Sequence, residues 1–112
     1  MAGIYTNITS GTTTTLITKG SNVSGNIRKI SIANVDGHQA DNVCLFLEDE
    51  TASTSTDAGN VKYHFIKDVD IPYASTLILE DCLDFDSKLY HLRITTQNAS
   101  DGGAANLTVI IK

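Results

Sequence analysis

The sequence predicts an all-β protein, a single β-sandwich of about seven to eight antiparallel strands. Apolar and polar residues alternate with a period of two in several segments, and no segment is long and periodic enough for a helix. Turns rich in Gly, Asn, Asp and Ser separate these segments. A jelly roll and an immunoglobulin-like Greek key both fit this pattern, although the Cys–Trp–Cys signal of immunoglobulin domains is absent because the chain has no Trp.

The size and charge of the chain exclude several classes of protein. With 112 residues it has the usual size of one domain. A net charge of −5 and a pI near 4.9 disfavour nucleic-acid binding. No apolar run approaches the ~20 residues of a membrane helix, and the first residues lack the pattern of a signal peptide. We therefore expect a soluble protein, made in a cytoplasm, with neither nucleic acid nor membrane as a partner.

The stretch from residue 61 to 81 has the clearest strand pattern. Val61, Tyr63 and Phe65 alternate with polar residues, which is typical of a half-buried strand. Pro72 ends the strand because it has no N–H to donate. After a turn of small residues, a second strand begins at Thr76 and carries alternate leucines on one face. The pattern predicts two strands that deliver apolar side chains to a shared core.

The first ten residues have no amphipathic pattern, and we expect them to form an extended N-terminal arm (1–10) ahead of the sandwich domain (11–112). Ile4, Tyr5 and Ile8 are its apolar residues and are candidates for contact with a neighbouring subunit.

The remaining strands are expected where β-branched or alternating apolar residues recur. They are Thr12–Thr18, Asn26–Asn34, Asn42–Asp49, Lys88–Thr96 and Asn106–Lys112. We expect an acidic surface loop at Glu48–Asn60 and a turn at Cys82–Ser87.

The strand Asn42–Asp49 is apolar on both faces, because Cys44 and Phe46 lie opposite the face that holds Val43 and Leu45. A second covered face indicates either a second layer of the same subunit or a partner chain. Cys44, Phe46 and Ile66 are therefore further candidates for subunit contact, with burial inside the subunit as the equal alternative for Phe46 and Ile66.

No catalytic or metal-binding motif is present. Carboxylates cluster at strand ends, where charges solvate a corner, and the three histidines lack the spacing of a zinc site. The motifs of nucleotide-binding loops and of serine hydrolases are missing. Cys44 and Cys82 are expected to be small buried hydrophobes. We predict that the protein is not an enzyme and has no cofactor.

The order of the strand segments also resembles a known family. The succession NIRKISIAN, NVCLFLED, YHFIKDVDIPYASTLILED, KLYHLRITT and LTVIIK resembles small virion proteins of tailed bacteriophages, particularly those of marine bacteria and cyanobacteria. The resemblance spans residues 11–112, and its most specific part is KDVDIP at 67–72 followed by LIL at 77–79.

This resemblance implies a structural role in the virion, assembled in the cytoplasm of the host bacterium. The expected protein is a capsid decoration protein that binds the major capsid protein or other virion proteins on the outer capsid surface, as a homo-oligomer and most simply a trimer. A tail, neck or fibre component is the alternative within this class. A carbohydrate-binding module is the alternative from another class, because β-sandwiches often carry that function and four tyrosines are present for stacking on sugars.

Overall fold

The computed structural model describes residues 3–20, 24–36, 39–49, 61–86, 90–99 and 103–112. These residues form eight strands: β1 (Ile4–Ile8), β2 (Thr13–Ile17), β3 (Ser24–Asn34), β4 (Asp41–Asp49), β5 (Val61–Ile71), β6 (Thr76–Asp86), β7 (His91–Asn98) and β8 (Leu107–Ile111). The described part of the chain offers no helix that is long and apolar enough to cross a membrane.

The strands form two four-stranded antiparallel sheets, so the predicted all-β sandwich is confirmed. Sheet I has the order β1-β8-β3-β6, and sheet II has the order β2-β7-β4-β5. The hydrogen-bonded pairs β1·β8, β2·β7, β3·β6 and β4·β5 form one long antiparallel ribbon, which is wound so that most consecutive strands change sheet. This winding is the jelly roll. An immunoglobulin fold would instead set the first strand beside the second.

The core lies between the sheets and is supplied mainly by the four central strands. Residues at alternate positions of β3, β4, β7 and β8 are almost fully buried, as the period-two pattern predicts. Its least exposed apolar side chains include Ile30, Ile32, Val43, Leu45, Leu92, Ile94, Val109 and Ile111. Leu77 and Leu79 of β6 pack against this core from the edge, in agreement with the prediction for the second strand of the 61–81 stretch.

The described N-terminal residues form part of the sandwich, whereas the sequence predicts an arm there. Ile4–Ile8 is the edge strand β1, which pairs with β8 from Ile4 opposite Ile111 to Ile8 opposite Leu107. Ile8 is 2% exposed and belongs to the core. Ile4 and Ile8 are an even number of residues apart, so in β1 they lie on the same face, which packs against the core.

Strand β6 is longer than the sequence predicts. The turn expected at Cys82–Ser87 is wrong for residues 82–86, because the backbone of β6 continues to Asp86 and pairs with β3 up to Ser24. β6 is an edge strand, and an edge tolerates the polar composition that suggested a turn. Residues 50–60 of the predicted acidic loop, Ser87 and His38 lie outside the described residues.

The turn between β5 and β6 has the predicted position. The N–H of Ser75 donates to the carbonyl of Pro72 at 3.2 Å. Ala74, the third residue of this turn, has a φ of 58°. A positive φ at the third position alone is the type II pattern, and Pro72 is the first residue of this turn.

Strand β5 departs from the predicted alternation. Tyr63 and Phe65 are 55% and 40% exposed, so the expectation that they supply the core is wrong. The register between β4 and β5 shifts on both sides of Leu45, and β5 holds one extra residue at each shift. Asp68, with a φ of 55°, lies within the first of these bulges. The bulges turn Ile66 toward the core instead.

Candidate interaction surface

The outer face of sheet II is built around Phe46, which is only 3% exposed although it lies outside the core cluster. His64 of β5 lies opposite Phe46, with their ring centroids 5.1 Å apart. The Lys62 ammonium lies 5.3 Å from the centre of the Phe46 ring, within the range of a cation–π contact. Phe46 is therefore covered by polar side chains of its own subunit.

Charged side chains surround this aromatic residue and pair with one another. Arg93 of β7 lies opposite Phe46 and donates from Nη1 to the Glu48 carboxylate, while its Nε donates to Thr15 Oγ1 at 3.0 Å. Glu48 is 4% exposed. At the border of this face, Lys19 Nζ lies 2.7 Å from Asp49 Oδ1 in a more exposed ion pair. A buried charge needs such a partner, because desolvation would otherwise penalise it.

His91 has a structural contact. It is 8% exposed, and its Nδ1 accepts the backbone N–H of Lys19 at 2.9 Å. Nδ1 is the acceptor in this hydrogen bond. His91 therefore tethers the chain after β2 to the start of β7.

Cys44 lies on the same outer face and is partly exposed. Its Sγ accepts the N–H of Asp68 at 3.3 Å and lies 3.5 Å from Asp68 Oδ1. The thiol sulfur therefore binds the backbone N–H of the β5 bulge, at the residue that has a positive φ. This contact explains how the bulge is held in register against β4.

The six residues proposed for subunit contact do not form one surface. Cys44 and Phe46 share the outer face of sheet II, whereas Ile66 lies in the core. On β1, Ile4 and Ile8 face the core, and Tyr5 points outward with 68% of its surface exposed. For Phe46 and Ile66 the structure gives burial inside the subunit, one of the two alternatives.

Tyr5 belongs to a row of side chains across the outer face of sheet I. The register places Tyr5 opposite Ile110, Ile110 opposite Ser31, and Ser31 opposite Ile78. Ile78 is 47% exposed. We call Tyr5, Ile110, Ser31 and Ile78 the outer row of sheet I. It is apolar except at Ser31, and its two exposed ends lie on the two edge strands.

A buried polar group occupies one end of the sandwich. Asn34, Asp41, Thr96 and Asn98 are each at most 2% exposed. Asn34 Nδ2 donates to the carbonyls of Gln39 and Ile71, at 2.9 Å each, and the side chain of Asn98 donates to that of Gln39. These bonds tie together the connections that meet at this end.

Asp41 is the least satisfied member of this group. Its Oδ2 accepts the N–H of Asn106 at 3.1 Å, whereas Oδ1 is buried and has no hydrogen-bond partner among the described residues. Burial raises the pKa of Asp41 above its ordinary value, the Asn106 N–H opposes this shift, and the nearby Asp36 adds to it. The sequence gives no sign of this, since Asp41 precedes an apolar strand like any other turn residue.

Among the residues that the structure describes, no three His, Cys, Asp or Glu side chains come together as a metal site requires. Comparisons of the chain with protein-family models, with curated proteins and with solved structures gave no match. What the described residues offer is therefore two contrasting outer faces: a polar, internally paired face on sheet II and an apolar row on sheet I.

Proposed function

We propose that this chain is a non-enzymatic structural protein of a tailed-bacteriophage virion, a decoration protein that binds the outer capsid surface as an oligomer. The observation that carries the proposal is the jelly-roll winding of the two sheets, since this architecture recurs in viral capsid proteins. The resemblance of residues 11–112 to small virion proteins supports it. The partner would be the major capsid protein or another virion protein, and a trimer is the simplest oligomer.

The shape and the use of charged residues fit a passive building block. The chain measures 39 × 32 × 18 Å, a slab with two broad outer faces. Glu48 and His91, which have the side chains of acid–base chemistry, contact Arg93 and the backbone of Lys19. A decoration protein gains its hold from many copies and shared interfaces rather than from one deep site.

The outer row of sheet I is the surface we propose for the capsid. Tyr5 and Ile78 are exposed large apolar residues at its two ends, and aromatic and aliphatic residues of this kind anchor interfaces. Tyr5 is one of the contact candidates that the sequence suggests, whereas Ile8 serves the core of its own subunit.

Binding of the purified protein to capsids that lack it tests this proposal. We expect cosedimentation with the shells, and particle imaging should locate the added density on their outer surface. Tyr5→Asp and Ile78→Asp should each weaken binding, whereas Tyr73→Asp, in the exposed β5–β6 turn, is the matched control. Removal of residues 1–10 would not be a clean test, because it also removes β1 from sheet I.

The outcomes separate the alternatives. Density on the tail, neck or fibre would contradict capsid decoration and support a tail, neck or fibre component. Unchanged binding by both row variants would exclude the outer row as the contact, and no binding to any part of the particle would contradict the virion role.

A carbohydrate-binding module is the second candidate, because Tyr5, Tyr63 and Tyr73 are each more than half exposed and exposed aromatic rings can stack on sugars. Jelly rolls also occur in lectins. Binding of the isolated protein to a glycan array, lost on substitution of one of these tyrosines by Ala, would favour this candidate.

A further inference from the structure

Strand β5 has one edge that no strand of the described residues pairs with. In sheet II it pairs with β4 on one side only, and no described strand lies on its other side. It has eleven residues, as many as β3 and β6 and more than any other described strand. The unpaired N–H and C=O groups of such an edge are a template for another strand.

The acidic residues of β5 lie near one end of the strand. Lys62 lies near its start, Lys67 follows its centre, and Asp68 and Asp70 lie near its end; all four are exposed. When two copies of a strand pair antiparallel, the start of each lies beside the end of the other. The Lys62 end of one β5 would then lie along the acidic end of the second copy, which holds Asp68 and Asp70.

A register centred on Ile66 makes this complementarity specific. Lys62 then lies opposite Asp70 of the second copy, and His64 lies opposite Asp68. Tyr63, which is 55% exposed, lies opposite Val69, which is 36% exposed. Opposite charges and apolar residues at facing positions both stabilise a strand pair, and this register sets no like charges opposite each other.

We propose that two copies of this chain associate by antiparallel pairing of their β5 strands about a two-fold axis at Ile66. The two copies of sheet II would then form one continuous sheet across the axis. A two-fold contact uses the same surface of both subunits, so each pair of facing residues occurs twice.

The bulges of β5 limit this contact without preventing it. Bulges are one device by which proteins protect an edge, and both register shifts of β5 fall between Tyr63 and Val69. β5 holds one extra residue on each side of Ile66. An axis at Ile66 therefore sets one bulge of each copy beside one bulge of the other, and the residues that flank the bulges keep their register. We expect ladder hydrogen bonds on either side of the bulges and an interruption between them.

The expected dimer is weak and concentration-dependent. One strand edge from each copy buries less than the ~800 Å² per partner of a standard interface. Dissociation constants on the order of micromolar are therefore expected. The contact does not depend on the virion role, since it requires only the purified chain, and a trimer would use another surface.

A charge swap tests the contact by sedimentation equilibrium of the full chain. Lys62→Asp and Asp70→Lys should each weaken dimerisation about tenfold, because each sets like charges opposite each other at two places. The double variant K62D/D70K should restore the wild-type dissociation constant. Within one strand these residues lie about 26 Å apart, so restoration can arise only between copies.

The control is Lys112→Asp, a charge reversal at an exposed residue outside sheet II, which should leave dimerisation unchanged. Circular dichroism of each variant checks the fold, since Asp70→Lys also removes the hydrogen bond from Asn42 Nδ2. A monomeric wild type at all accessible concentrations, an oligomer insensitive to the single variants, or a double variant that stays weak would each overturn the proposal. Capsid binding by a wild type that fails this test would leave the proposed function intact.

Discussion

Strands β4 and β5 are neighbours in sheet II, yet they differ strongly in how far their side chains are buried. In β4 every described side chain is buried or partly buried, including Phe46 and Glu48 on the outer face. In β5 only Ile66 and Ile71 are buried among the described side chains. Among the described strands, β4 has a neighbour on each side, whereas β5 has one on a single side and holds two extra residues relative to β4.

The difference shows what alternation can and cannot predict. In a regular central strand each residue is buried or exposed according to the face it occupies, so the pattern predicts the core. Each bulge shifts the following side chains by one position, and an edge leaves even the core-facing side open to solvent. Tyr63 and Val69 lie opposite core-facing residues of β4, yet they remain exposed.

Truncation of one apolar side chain in each strand should give the largest contrast. Leu45 is fully buried, so Leu45→Ala should lower the free energy of unfolding by about 3 kcal/mol, through lost burial and the cavity left behind. Val69→Ala in β5 should cost less than about 1 kcal/mol because the side chain is already partly solvated. Urea unfolding of the two variants measures both, and equal losses would contradict the contrast.

The two phenylalanines give the next contrast. Phe46→Ala should cost about 3 kcal/mol, the low end for buried aromatic residues, because polar side chains cover its outer side in place of an apolar layer. Phe65→Ala should cost about 1 kcal/mol, since Phe65 is 40% exposed. Urea unfolding again measures both losses. A Phe46 variant as stable as the wild type would show that the outer face of sheet II is not packed as described.

The two ion pairs compare a covered position with an open one. Glu48→Gln should cost about 2 kcal/mol, because it leaves Arg93 without its carboxylate at a site where the Arg93 and Glu48 side chains are 18% and 6% exposed. Asp49→Asn should cost below about 1 kcal/mol, since the Lys19–Asp49 pair is 32% and 28% exposed and screened by water. Urea unfolding measures the loss of stability in each variant. Raising the salt concentration should bring the two losses only slightly closer together. Equal losses at high salt would contradict the burial of Glu48.

Much of the fold could be predicted from the sequence because its central strands are regular. The alternation in β3, β4, β7 and β8 predicted both their positions and the apolar residues of the core. β1 was missed as a strand because its apolar residues Ile4, Tyr5 and Ile8 do not alternate regularly with polar ones. The winding of the strands is a property of long-range pairing, such as Ile4 with Ile111, on which local patterns carry no information.

The candidate surfaces could be predicted less well, because they too depend on long-range pairing of strands. Tyr5 was found because it is an apolar residue in a polar context. The outer row of sheet I requires the register of four strands, and the Glu48–Arg93 pair joins residues 45 positions apart. Ile66 was grouped with Cys44 and Phe46 because nothing in the local pattern marks the bulges that turn it toward the core.

The smallest expected effect concerns Asp41 of β4, which lies opposite Ile71 at the end of β5. Its pKa is raised in the folded chain, so the folded state binds the proton more tightly than the unfolded state does. Protonation of Asp41 therefore favours folding at pH values below its ordinary pKa. This contribution is lost as the pH rises through the raised value of the folded chain.

Asp41→Asn should therefore be slightly more stable than the wild type at neutral pH. The amide keeps an oxygen for the Asn106 N–H and removes the buried charge, at the cost of an amide group near the orphaned position. As the pH falls below the ordinary range of an aspartate the advantage should vanish, because the wild-type carboxyl is then neutral as well. Thermal unfolding of both proteins across this pH range measures the difference, with Asp70→Asn as the exposed control on β5. If D41N is instead less stable than the wild type at neutral pH, the favourable interactions of the carboxylate exceed the free-energy cost of its desolvation. Oδ1 would then have a favourable partner in solution.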